Sequence, residues 1–294
     1  MTLESEETVH TTTTVTFQDV DNQKHVDTSP SPHAATRPSP PGSAESTETS
    51  SLSCSSDSSL ASDGQFVVRN MEVQRCMSDR VTWYSKSRDY WTQVPSTVDG
   101  MLGGYGSLTQ ADLCSSAQFL AKLCNLGGLG TELALDCGAG IGRVSQGLLL
   151  NVFEKVEMLD TCQEHLDNAR EFMGDKMFAR VSAQHCCGLQ EFEPSPNTFY
   201  DLVWIQWVII YLSDSDFINL LARLKRSLKK DGYIVIKDNV TKAGCELDAD
   251  DSSVTRSDLQ LKQIFKKAGL ELLEETYQKG FPRELFKVKY YALR

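Results

Sequence analysis

The chain has 294 residues, room for one large domain or two small ones, and a formal charge of −11 from 29 Lys+Arg against 40 Asp+Glu. That balance argues against a protein that grips a phosphate backbone, and no apolar run approaches the ~20 residues a membrane span needs. The opening MTLESEETVH has neither a basic n-region nor an apolar core, so no secretory signal is expected. Nine cysteines without a CxxC pair read as reduced thiols of a cytosolic or nuclear protein.

Residues 1–64 form a first segment with ten acids against Lys24 and Arg37 and with Phe17 as its one aromatic. Rich in Ser, Thr and Pro, it cannot bury enough apolar surface to offset its ordering entropy, and reads as a disordered acidic tail. Ser31-Pro32 and Ser39-Pro40 could be phosphorylation sites, but such pairs are common in any tail of this composition. Residues 65–294 read as the globular domain.

A helical region is expected from Arg69 to Trp91, carrying Met71, Val73, Cys76, Val81, Tyr84 and Tyr90 among charges. VPSTVDGMLGGYGSL (94–108) reads as a Gly-rich loop, and Ser115 to Cys124 as a helix with Phe119, Leu120 and Leu123 on one face. Strands are then expected at 132–140, 156–160, 181–186 and 201–210, the last a continuous apolar run suited to burial on both faces of a parallel sheet. DSDFINLLARLKRSLKK (214–230) is amphipathic, with a stripe of Phe217, Leu220, Leu221, Leu224 and Leu228. A strand at 232–239, a helix over Leu259–Ala268 stopped by Gly269, and a closing hairpin complete the pattern. Strands alternating with helices mean βαβ units and a mostly parallel sheet.

Asp136-Cys137-Gly138-Ala139-Gly140-Ile141-Gly142-Arg143 at the end of the first strand is the strongest local motif. Glycines there let a backbone approach a ligand at the carboxyl end of a sheet, beside a helix N-terminus. Asp160, 22 residues after Gly138 and ending the second strand, suits ribose hydroxyls. A dinucleotide site wants GxGxxG, yet here the third glycine comes one residue early, at Gly142. The early spacing, with an acid two residues before it, fits S-adenosylmethionine better.

LDCGAGIGRVS, GLQEF (188–192), IQWVI (205–209), IKDNV (236–240) and LDADDSSVTRSD (247–258) closely resemble the eukaryotic protein α-N-terminal methyltransferases, from about Trp83 to Arg294. VPSTVDGMLGGYG resembles that family's substrate-facing loop. The resemblance implies an α/β fold with a seven-stranded Rossmann-like sheet, an N-terminal helical extension and S-adenosylmethionine as cofactor, with no metal. It implies methyl transfer to the free α-amine of proteins that begin X-Pro-Lys or X-Pro-Arg once the initiator methionine is removed. The expected enzyme is a monomer or weak homodimer of nucleus and cytoplasm, without nucleic-acid or membrane partners.

Residue by residue, the resemblance places Gly138, Arg143, Asp160, Leu189 and Gln206 on the cofactor. Arg143 suits the methionine carboxylate, Leu189 the adenine edge and Gln206 the methionine portion. Trp91, Leu102, Gly103, Leu108, Trp207, Asp248, Ser253, Glu284 and Leu285 fall on the peptide side. There Trp207 is the wall for a proline ring, and Asp248 and Glu284 receive the third-position cation. Asn239 would bond the first residue's backbone, and Asp251 would take the amine's proton.

Two positions depart from the family. Tyr211 stands where a histidine is usual, a poor base at neutral pH that can still orient an amine. Phe286 replaces a tyrosine. A small-molecule methyltransferase would keep the Gly138–Asp160 half alone. A cofactor- or peptide-binding adaptor with weak catalysis is the reading in which Tyr211 costs turnover.

Overall fold

The computed structural model describes Val73 and residues 75–294. The acidic tail and the first residues of the expected helical region lie outside the described residues.

Helix α1, Arg80–Thr92, starts where the Asp79 carboxylate accepts from the Thr82 backbone N–H at 3.1 Å. Its buried face is Trp83 and Ser87, whereas Val81 and Tyr90, expected among its apolar positions, are exposed. The Gly-rich segment is more ordered than a loop. It holds a short helix, α2 (Val98–Met101), capped by Thr97, and a single 3₁₀ turn at Gly106–Leu108. Helix α3, Thr109–Asn125, begins six residues before the expected start, because Asp112 and Ser116 extend its buried face beyond the apolar stripe of Phe119, Leu120 and Leu123.

Seven strands form one sheet. These are β1 (Leu133–Cys137), β2 (Lys155–Asp160), β3 (Val181–Cys186), β4 (Tyr200–Gln206), β5 (Leu228–Val240), β8 (Leu272–Tyr277) and β9 (Lys287–Leu293). The order is β3-β2-β1-β4-β5-β9-β8. The first five strands run parallel, and β9 lies antiparallel to both β5 and β8. All seven residues of β4 are buried, as its apolar run requires. The strand stops at Gln206, and the rest of that run turns into a 3₁₀ segment, Ile209–Tyr211.

Helices α4 (Arg143–Gly147), α5 (Gln163–Met173), α6 (Asp175–Phe178), α7 (Asp214–Arg226) and α8 (Asp258–Lys267) complete the domain. Helix α7 has Ser213 as its cap and buries Phe217, Leu220, Leu221 and Leu224. It ends at Arg226, short of the expected Lys230, and Leu228–Lys230 already belong to β5. The Lys229 ammonium pairs with Asp201 at 2.9 Å and Glu132 at 2.5 Å, drawing that stretch into the sheet. The acidic segment after β5 is a hairpin of β6 (Cys245–Asp248) and β7 (Ser253–Arg256) in a separate two-stranded sheet. Among the described residues no helix is long and apolar enough to cross a membrane.

Strand order reverses between β1 and β4, so the crevice outside their carboxyl ends is where this architecture receives ligands.

Candidate active site

A cavity of about 430 Å³ opens there, within the ordinary range for a small-molecule pocket. Backbone geometry shapes its floor. Gly138 has φ +73, in the left-handed region, and a Cβ added to it would collide with Val208 Cγ1. Asp160 closes the turn from below: Oδ2 accepts from the Gly140 N–H and Oδ1 from the Cys162 N–H, each at 2.8 Å. Burial raises its pKa against those two bonds.

Arg143, at the start of α4, is 6% exposed and donates Nη1 to Asp112 Oδ2 at 2.7 Å. The Lys237 ammonium, fully buried on β5, closes on Asp112 Oδ1 and reaches Ser116 Oγ at 2.9 Å. Gln206 is committed to the same cluster: Nε2 donates to both Asp112 oxygens at 3.1 Å, and Oε1 accepts from Trp204 Nε1 at 3.0 Å. The two cations hold the Asp112 carboxylate below its usual range despite burial, and burial pushes Lys237 down to about 8. Of this cluster, Arg143 and Gln206 line the cavity. Asp136, beside the glycines, is pushed up to about 6 by burial, with Ser145 donating to it at 2.6 Å.

The cluster also underlies Trp207. Lys237 Nζ lies 5.4 Å and Arg143 Cζ 5.9 Å from its ring centroid. Trp207 itself has φ +55 and donates its backbone N–H to the Lys237 carbonyl at 3.0 Å. Phe281 stacks on the indole with centroids 6.3 Å apart and planes at 25°.

Tyr211 is fixed from several sides. The Trp83 indole N–H donates to its carbonyl at 2.7 Å, and its ring meets Trp91 edge-on at 6.2 Å. Arg256 binds the carbonyls on either side, Ile209 at 3.2 Å and Leu212 at 2.6 Å. The hydroxyl donates to Asp251 Oδ2 at 3.2 Å. Burial and the Asp251 charge raise the phenol well above 10. Asp251 is itself raised by burial, with hydrogen bonding from Ser253 and Tyr211 opposing the shift and the Asp248 charge adding to it.

Of the residues singled out in the sequence, Gly138, Arg143, Asp160, Leu189 and Gln206 all line the cavity, as do Trp91, Leu102, Gly103 and Leu108. So do Trp207, Tyr211, Asn239 and Leu285. Asp251 does not; it sits behind Tyr211. Ser253 is buried beside it on β7, and Asp248 and Glu284 are exposed outside the lining. His165, which also lines the cavity, ties Trp91 O (3.1 Å) and Ser96 Oγ (2.9 Å) to α5.

Asp112, Lys237, Phe281 and Val208 are not among the residues singled out from the sequence. Only the lone lysine in the apolar IVIKDN run signalled a buried charge in need of a partner.

Two features fit S-adenosylmethionine: Arg143 at the cavity wall suits its carboxylate, and Gly138 and Gly140, with no side chain, expose backbone to the cavity beside the N-terminus of α4. Sheet, glycine turn and acid-ended β2 together define an S-adenosylmethionine-dependent methyltransferase. Residues 79–294 match the model of the AdoMet-dependent proline di-methyltransferases, and the chain belongs to that family. The N-terminal Xaa-Pro-Lys N-methyltransferase 1 of Mus musculus is 46% identical over 220 residues, covering 74% of this chain and 98% of its own. The Xenopus laevis relative 1-B is 44% identical over the same shares. A solved S-adenosylmethionine-dependent methyltransferase from Leishmania major aligns with TM-score 0.67 and 36% identity, over 72% of this chain and 83% of that one.

Proposed function

We propose that this methyltransferase acts on the free α-amine of protein chains beginning X-Pro-Lys or X-Pro-Arg after removal of the initiator methionine. The observation that carries the reading is that the cofactor floor and Trp207, Asn239 and Tyr211 open onto one cavity. Curated relatives bearing the Xaa-Pro-Lys name over nearly their whole length support it.

When bound, S-adenosylmethionine supplies a methyl group on an electrophilic sulfonium. The chain's own residues position the amine and remove its proton. An α-amine with pKa near 7.7–8.0 is largely protonated at neutral pH. Asp251 is its acceptor, reached through Tyr211. The amine's proton moves to the phenol oxygen as the phenol's own proton moves to Asp251 Oδ2, so Tyr211 stays neutral, as its raised pKa requires. Burial strengthens Asp251 as a proton acceptor. Trp207 walls the proline ring, Asn239 bonds the first residue's backbone, and Asp248 and Glu284 receive the third-position cation.

Tritiated cofactor with an Ala-Pro-Lys peptide, its N-acetylated twin and a panel of small amines tests the reading. Label should enter only the free peptide. Label in the acetylated twin, or in small amines at a matching rate, would overturn it.

A further inference from the structure

Between β8 and β9 the chain makes a nine-residue excursion, 278–286, whose root is firmly held. Gln278 Nε2 donates to the Ala111 carbonyl at 3.0 Å, Gln278 Oε1 accepts from the Tyr290 hydroxyl at 2.5 Å, and its backbone N–H donates to Val288. Past Gly280, with φ +79, the hold is different. Residues 282–284 are exposed, and Phe281 and Leu285 are half-buried, both lining the cavity. The tip is therefore anchored chiefly by what Phe281 and Leu285 reach.

What Phe281 reaches is Trp207, with the rings 6.3 Å apart and 25° from parallel. Lys237 and Arg143, both joined to Asp112, stand within 6 Å of the same indole and are buried. A saturated ring held between two aromatic rings makes a contact of about 3.5–4.0 Å on each side. It needs about 7–8 Å between them, more than the 6.3 Å found. No ring can enter between Phe281 and the indole as they stand.

We propose that Phe281 is a resident occupant of the ring subsite on Trp207, a stand-in for the substrate's second side chain that the 278–286 segment must withdraw before a peptide can seat. The proposal rests on the reading of Trp207 as the proline wall. Its consequence is for specificity. An entering ligand must offer enough apolar contact to replace a stacked aromatic pair, so chains with a small or polar second residue meet an already filled subsite.

Phe281→Leu tests it, since the position is half-buried in a loop and the change keeps an apolar side chain. One arm needs no substrate. In protein labelled with 5-fluorotryptophan, the Trp207 resonance, assigned through Trp207→Phe, should move when Phe281→Leu removes the neighbouring ring current. A resonance that stays in place would overturn the proposal. The second arm is steady-state methylation of an Ala-Pro-Lys peptide. KM for the peptide should fall about three- to tenfold, more than kcat changes, with the calorimetric affinity for S-adenosylhomocysteine unmoved. A rise in KM would make Phe281 a wall that holds the ligand and overturn its role as an occupant, and an unchanged KM would overturn it too. If the wild type methylates no X-Pro-Lys peptide but the resonance moves, the substrate reading fails while occupancy of the indole by Phe281 stands.

Discussion

The Tyr211 hydroxyl donates to Asp251 Oδ2 across 3.2 Å, and of the two only Tyr211 lines the cavity. The carboxylate proposed to receive the amine's proton is thus screened from substrate by the residue that departs from the family's usual histidine.

If the two act in series, removing either breaks the same path. Asp251→Asn and Tyr211→Phe should each lower kcat by something in the range of 10²–10⁴, and the double variant should fall no further than the worse single. Tyr211→His should raise activity near neutral pH and partly rescue Asp251→Asn. Wild-type kcat should fall as pH drops through the raised Asp251 pKa, as the base becomes protonated. A Tyr211→Phe enzyme at wild-type rate would remove the phenol from the path.

Asp112 is the one anion shared by Arg143 and Lys237, with its side chain fully buried. Asp112→Asn leaves two buried cations facing each other. The expected loss is about 3–5 kcal/mol, or about 6–20 °C of Tm for a domain of this size, with weaker S-adenosylhomocysteine binding in calorimetry. Lys237→Met should cost less, because it leaves one cation on one carboxylate. A variant Asp112→Asn that melts within about 2 °C of wild type would contradict this account.

Asp238 is buried with Oδ2 unpaired, and burial pushes it from 3.8 up to about 7 against bonds from the Asn239 and Ile209 N–H groups. The folded chain keeps a proton here that the unfolded chain releases from about pH 4. The contribution of Asp238 to stability therefore falls as pH rises from about 4 to 7 and levels off above. Over some three pH units the effect reaches about 4 kcal/mol at most. Asp238→Asn, neutral throughout, should lack this component, so its urea-unfolding stability at pH 4.5, 6 and 7.5 should diverge from wild type by a pH-dependent amount. Parallel curves for wild type and variant would show Asp238 ionised in the fold.

Deletion of residues 1–64 should leave peptide methylation within about tenfold in kcat/KM, equivalent to ~1.4 kcal/mol. The segment has few residues able to build a core, and every residue that lines the cavity lies beyond it. A larger loss would make the tail part of the working enzyme.

The cofactor half was legible because its signals are local. Glycines after an apolar strand and an acid ending the next one fall at fixed spacings, and β3 runs over the very residues expected, Val181–Cys186. Errors came where a local pattern had a distant partner. Leu228 continues the apolar stripe of α7, but Lys229 is claimed by Asp201 and the segment pairs with β4 instead. LDADDSS reads as solvated acid, yet its flanks pair as β6 and β7 and bury Ser253. Asp112 looked like an ordinary polar residue near a helix start. Its importance exists only once Lys237, 125 positions away, arrives beside it.

Trp207 occupies a backbone conformation that favours glycine, at φ +55, and such a residue costs of order 1–3 kcal/mol. An engineer scanning for stabilising replacements would be led to this position early, and glycine there would relax the chain. It would also erase the indole that faces the cavity. Position 207 is thus one at which durability and performance pull in opposite directions, and selection for thermal robustness alone would be expected to discard the tryptophan first.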